Sequence, residues 1–223
     1  MNRAVCAAAL TVFATSAPTV TKAQQAPESP MPAAVNICVD GASIAPTKPD
    51  GSQWRDGPRI PAALSAIINA KFDSLIAKAI VTSGVAAVVP AAVAEPLIAD
   101  FAEHELVKQL EKPIVVGDVE IAPRGTFTGA KDRRRAIKPP ILPIGRINPH
   151  FHVCFDHVAW APSIALRIDL KDWHGNRSEE IGTVDVAGKT IEAVYRLGAA
   201  HHVLVHEQNP SIRSVALSVT KAR

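Results

Sequence analysis

The chain has almost no charge to spare. Its 223 residues carry 24 Lys and Arg against 21 Asp and Glu, a net +3 at pH 7. A nucleic-acid binder needs a strong cationic footprint to displace counterions from phosphates, so that class of partner is excluded. Signatures of catalysis are missing as well. There is no G-x-S-x-G elbow to present a serine, no H-E-x-x-H to hold zinc and no glycine loop to cradle phosphate, so no enzymatic activity is expected. A long apolar run is absent too. Residues 79–94 are uncharged, yet they are mostly Ala and Val and are broken by Gly84 and Pro90. A membrane span needs about 20 strongly apolar residues, so this stretch reads as part of a helical segment packed on the protein itself. One tyrosine and eighteen prolines are unusual counts that select no class.

What is present begins with a leader. Arg3 supplies a positive start, residues 4–14 are apolar, and Thr21-Lys22-Ala23 ends in a small residue. That is the pattern of a cleaved secretory signal over 1–23, placing the protein in the periplasm or outside the cell. Removing Arg3 and Lys22 leaves 22 cations against 21 acids, or +1, over the remaining 200 residues, enough for one domain with a real core. Residues 24–34 (QQAPESPMPAA) form a Pro- and Ala-rich linker, and 35–223 is the domain. Of three cysteines, Cys38 and Cys154 outlast the leader. An even pair in an exported chain is expected to bridge; the alternative is two separate buried thiols.

The domain alternates with period two. Phe151, Val153 and Phe155 recur with His150, His152, Cys154 and Asp156 between them. Ile164, Leu166, Ile168 and Leu170 then share one face, with Arg167 and Asp169 on the other. Residues 35–45 alternate likewise, with Cys38 opposite Val35, Ile37 and Val39. Such strict alternation marks half-buried antiparallel strands. Strands also read at 113–122, 183–186, 203–206 and 212–219, while 190–197 is ambiguous between helix and strand. Residues 62–110 change period. Leu64, Ile67, Ile68, Phe72, Leu75, Ile76, Ala79 and Ile80 fall at helical spacing, and a second helix reads from about 95 to 109, with Pro96 in its first turn and Leu97, Phe101, Leu106 and Leu110 inward.

An Asn148-Pro149 step beside Phe151, an alternating strand, a second strand ending in Asp172, a polar loop (KDWHGNRSEE) and then Ile181-Gly182 together resemble the C2 domain. The resemblance covers 148–185 well and 35–50 loosely. It implies a mainly β fold, an eight-stranded antiparallel C2-like β-sandwich with an inserted helical hairpin at 62–110. It makes the strands of Cys38 and Cys154 neighbours in one sheet, which favours the bridge. It implies two calcium loops, one offering Asp50 and Asp56, the other Asp172, Asn176 and Glu179, although Leu170 stands where calcium-binding members carry Asp. Ca²⁺ is the cofactor so implied. It also makes Arg133, Arg134, Arg135 and Lys138 candidates for binding acidic lipid headgroups. The function so implied is that of an exported, non-enzymatic binding module for a membrane surface or a partner protein. A reading from another class rests on the histidines. His150, His152 and Cys154 share a strand face, and His201, His202 and His206 cluster in sequence, a donor set that suits zinc or copper.

Overall fold

In the computed structural model, residues 30–55, 57–77, 81–82 and 87–223 are described, and Met31–Arg223 forms one compact unit. The leader, most of the linker, Asp56, Ala79 and Ile80 lie outside the described residues. The alternating segments form two antiparallel sheets. One runs, edge to edge, through β2 (Val81–Thr82), β3 (Ala87–Pro90), β9 (His201–Leu204), β10 (Ile212–Lys221), β1 (Ala34–Ile44) and β6 (His150–Ala159). The other runs through β5 (Arg134–Ile137), β4 (Val115–Ala122), β7 (Ala165–Trp173) and β8 (Ser178–Ala187).

The period-two faces meet between these layers. Val35, Ile37 and Val39 from β1, with Leu166, Ile168 and Leu170 from β7, are all 0% exposed and belong to one continuous core. Burying a side chain of this kind is worth about 1.5–3 kcal/mol, which is what fixes the register. The expected mainly β antiparallel sandwich is therefore present, and among the described residues its eight strands outside the insertion are joined by two more from within it. Residues 190–197, ambiguous in sequence, fall in helix α4 (Gly188–Leu197), which turns Ile191 and Val194 into the sandwich core.

The insertion departs from its expected form in several ways. Helix α1 (Ala62–Ala77) buries Ser65, Ile68, Phe72 and Ile76, while Ile67 is 64% exposed, because the stripe centres on the i, i+4 row through Ile68 and Ile67 lies a step of about 100° away. Helix α2 (Ala91–Ala102) starts four residues before the expected point, which places Pro96 inside it, and turns Ala94, Ile98 and Phe101 inward. Leu106, read as inward, is 49% exposed, and its neighbour Val107 is buried in the short helix α3 (Glu105–Lys108) instead. The segment is also not purely helical. β3 pairs with β9, matching Val88 with Val203, so the insertion extends a sheet rather than standing outside it. Its own core gathers Ile68, Phe72, Ile98 and Phe101, with the rings of Phe72 and Phe101 5.1 Å apart. Arg213 on β10 reaches Asp73 on α1 at 3.0 Å, tying the two parts together. Among the described residues no helix is long and apolar enough to cross a membrane.

Candidate functional site

Between β5 and β6 the chain reads KPPILPIGRINP, and its apolar residues face outward. Ile141 is 100% exposed, Leu142 70% and Ile144 59%. Three prolines, Pro139, Pro140 and Pro143, bracket them. Proline fixes its own φ and pushes the preceding residue into extended backbone, so this segment cannot coil into a helix. Both ends are clamped instead. Ile137 at one base and Ile147 at the other are 3% and 1% exposed. The amides of Ile44 and Ala42 on β1 donate to the carbonyls of Ile147 and Pro149 at 2.7 and 3.2 Å, and Arg146 N–H donates to Pro113 O at 3.0 Å. Two glycines permit that approach. A Cβ on Gly41 would lie 2.8 Å from Pro149 O, and one on Gly145 2.0 Å from Lys112 O. The result is a stiff apolar tip on a buried base, beside an open cleft of about 810 Å³ lined by Lys138, Arg146, His150 and His152 among others.

Along the chain the charge of this stretch is of one sign, although in space Glu103 borders a cleft with Ile144 and Arg146. From Arg133 to Phe155 there are five Lys and Arg residues and no Asp or Glu. The structure sorts the four cations expected to meet headgroups. Arg134 is committed to Asp118 on β4 at 2.8 Å, and that partner holds its guanidinium pKa above the ordinary value. Arg135 donates to the carbonyls of Asp132 and Arg134 and lies over the Phe155 ring at 5.5 Å. Arg133 is 4.0 Å from Asp132, a loose contact. Lys138 is exposed and, among the described residues, has no ion-pair partner; the same absence of a partner holds for Arg146 at the far end of the tip. Arg146, Ile141, Leu142 and Ile144 are absent from the sequence-derived site. The cue was present in the proline bracket, but apolar residues between prolines look alike whether they end in a core or in solvent.

The two loops expected to hold calcium do meet. Arg55 N–H donates to Asp172 Oδ2 at 3.3 Å, and Lys48 pairs with Glu179 at 2.6 Å. Asp50, Asp172 and Glu179 are each engaged within the protein. Ser52, through Oγ and N–H, donates to Asp50 Oδ1 at 2.6 and 3.0 Å, which holds that carboxyl below its ordinary range. Asp172 is fully buried, because the parity of Leu166, Ile168 and Leu170 carries it inward as well. Its oxygens accept from Ile114 N–H at 2.9 Å and face His174 Nε2 at 3.2 Å, and burial raises its pKa against these partners. Asn176 sits at a mouth lined by Arg55, His174 and Arg177, a cationic setting that disfavours a divalent cation. Asp56 lies outside the described residues.

The histidines do not converge. His201 and His202 are consecutive on β9 and so face opposite ways; His201 Nδ1 lies 3.2 Å from Ala199 O and His202 Nδ1 2.8 Å from Ser214 Oγ. Both are buried, while His206 is exposed and borders a separate cavity beside Asp73 and Arg213. Among the described residues the only convergent group of three potential ligands is Cys38, His152 and Cys154. Its two sulfurs are joined to each other: the Cys38–Cys154 disulfide links directly paired residues of β1 and β6. A bridged pair offers no thiolate, so the group as it stands is not a zinc or copper site.

No family model and no curated protein matches the chain. Among solved structures, a C2 domain of plant extended synaptotagmin 1 is similar at a TM-score of 0.39 and 9% identity, over 87% of this chain and 99% of that one. What the chain does is therefore read from its own residues.

Proposed function

We propose that this chain is an exported, non-enzymatic binding module that docks on an anionic membrane surface, with the loop at 139–144 entering the bilayer and Lys138 and Arg146 at headgroup level. The observation that carries this reading is the clamped loop with Ile141 fully exposed between two cations that have no ion-pair partner among the described residues. An apolar tip held in water is costly unless something covers it. A bilayer fits better than a protein groove because acidic residues are absent from 133–155, which matches a uniformly negative surface. The inserted side chains supply the larger share. Each inserted side chain is worth up to about 1.5–3 kcal/mol, and each cation near an anionic leaflet about 1 kcal/mol.

Sedimentation with phosphatidylglycerol vesicles tests the reading. The wild-type chain is expected to pellet, less so at high salt, because the field decays within about 8 Å at physiological ionic strength. Ile141/Leu142/Ile144→Ser is expected to weaken binding by about three orders of magnitude. Lys138/Arg146→Ala should cost more than Arg134→Ala, since Arg134 is already held by Asp118. Equal binding by the wild type and the serine variant would overturn the membrane reading, and so would no binding by the wild type. Vesicle-independent capture of a protein through the same loop would assign the tip to a partner instead.

A further inference from the structure

A second cluster lies on the outer face of the six-stranded sheet. Period two puts Cys38 and Asp40 of β1 on that face, and His152 and Cys154 of β6 beside them. Their contacts form a series. Ser218 Oγ donates to Asp40 Oδ2 at 2.6 Å, Asp40 Oδ1 lies 2.6 Å from His152 Nδ1, and His152 Nε2 lies 3.0 Å from Cys154 Sγ. The His152 side chain is 72% exposed and both cysteines are half-buried, so the cluster lies at the surface and not in the core. A disulfide that only staples two strands needs no acid at one sulfur. Here a carboxylate fixes the imidazole by one nitrogen and aims the other at the sulfur, the arrangement by which an imidazole delivers or removes a proton.

We propose that Cys38–Cys154 is a thiol–disulfide exchange site operated by His152 and Asp40, with a reducing thiol as co-substrate. A thiolate attacks Cys38 Sγ. The new sulfur–sulfur bond forms as the Cys38–Cys154 bond breaks, and the electron pair leaves on Cys154 Sγ, which takes a proton or an ion-pair hydrogen bond from His152 Nε2. A second thiolate attacks the incoming sulfur of the mixed disulfide and releases Cys38 as thiolate. Two external thiols end as a disulfide and the bridge as two thiols, with two electrons and two protons transferred. Cys154 is the leaving group because the imidazole lies against its sulfur. His152 touches a reacting atom and is catalytic; Asp40 acts through it and is a positioning residue. The other charged or titratable groups facing the pair are His150 and Asp156 on β6, with Lys138 and Arg146 across the adjoining cleft.

The test uses the full chain. Reduction by glutathione and by dithiothreitol at pH 7 is followed by trapping of free thiols, for the wild type, His152→Gln, Asp40→Asn and Asp40→Glu. His152→Gln is expected to slow reduction about tenfold. Asp40→Asn should slow it to a lesser degree, and Asp40→Glu should recover the wild-type rate, with non-reducing unfolding midpoints unchanged throughout. An effect with either thiol supports the proposal; effects with dithiothreitol alone identify a dithiol as the co-substrate. In Cys38→Ser, alkylation of Cys154 against pH should show a midpoint well below the ordinary value of about 8.5, moving back toward it when His152→Gln is added. If Cys38→Ser does not fold, the reduction rates alone decide. Equal rates for all four proteins with both reductants, or a Cys154 midpoint at about 8.5, would overturn the proposal.

Discussion

Replacing both bridging cysteines, Cys38→Ser/Cys154→Ser, is expected to cost about 4–5 kcal/mol of folding stability. The bridge closes a sequence separation of 116 residues. On the chain-entropy account the gain comes from the unfolded ensemble, which the cross-link keeps from expanding, and it grows slowly with loop length. The enclosed residues include the whole insertion, β4, β5 and the exposed loop, so all of these gain from one link. The folded side loses little, because Cys38 and Cys154 are already paired in register and the outer face they occupy is not part of the core. Guanidinium unfolding of the oxidised and double-serine proteins measures the difference. A loss under about 1 kcal/mol would show that the enclosed chain is compact before it folds.

The second large effect concerns His202. Its side chain is 1% exposed; Nδ1 meets Ser214 Oγ at 2.8 Å, and among the described residues Nε2 has no hydrogen-bond partner. Burial, and to a lesser degree the charge of His150, lowers its pKa from 6.5 to about 4. The folded state holds this imidazole neutral, whereas the unfolded chain takes up a proton near pH 6.5. Its contribution to stability is therefore present above pH 6.5 and lost as the pH falls through 4. That gap is worth about 3 kcal/mol, of which most goes between about pH 6.5 and 4. Asp172 and Asp73 act with the opposite sign, since burial raises both and acidification favours their folded, protonated forms. The comparison that isolates His202 is the pH slope of unfolding free energy for the wild type against His202→Asn, whose amide can keep the Ser214 contact. The variant should lose about 3 kcal/mol less between about pH 7 and pH 4. Parallel slopes would mean that the imidazole is hydrated in the folded protein.

Much of the sandwich was legible because burial and local geometry agree there. Leu166, Ile168 and Leu170 alternate in sequence and are buried in fact, and the Cys38–Cys154 bridge follows from an even cysteine pair on two such strands. The same parity, carried one step further, places Asp172 inside; reading it as a loop residue made it a calcium candidate when it is a buried acceptor for Ile114 N–H. Helix faces were harder to fix, since neighbouring apolar residues such as Ile67 and Ile68, or Leu106 and Val107, differ by about 100° and only packing chooses between them. The site was legible in charge and not in shape. The basic run at 133–138 stands out in the sequence, but Arg134 turned to Asp118, and the exposed tip beyond it depends on how β1 and the Pro113 carbonyl clamp its base.

The most direct test of the membrane account is a depth measurement at the tip. Leu142 is 70% exposed, so Leu142→Trp places a reporter there without disturbing the core, and Trp54, Trp160 and Trp173 are subtracted with the parent protein. On addition of phosphatidylglycerol vesicles the added tryptophan should shift its emission to the blue. It should also be quenched more strongly by lipids brominated along the acyl chain than by a soluble quencher. Emission that stays at its aqueous wavelength while the protein pellets with the vesicles would contradict the account, because the loop would then lie outside the bilayer.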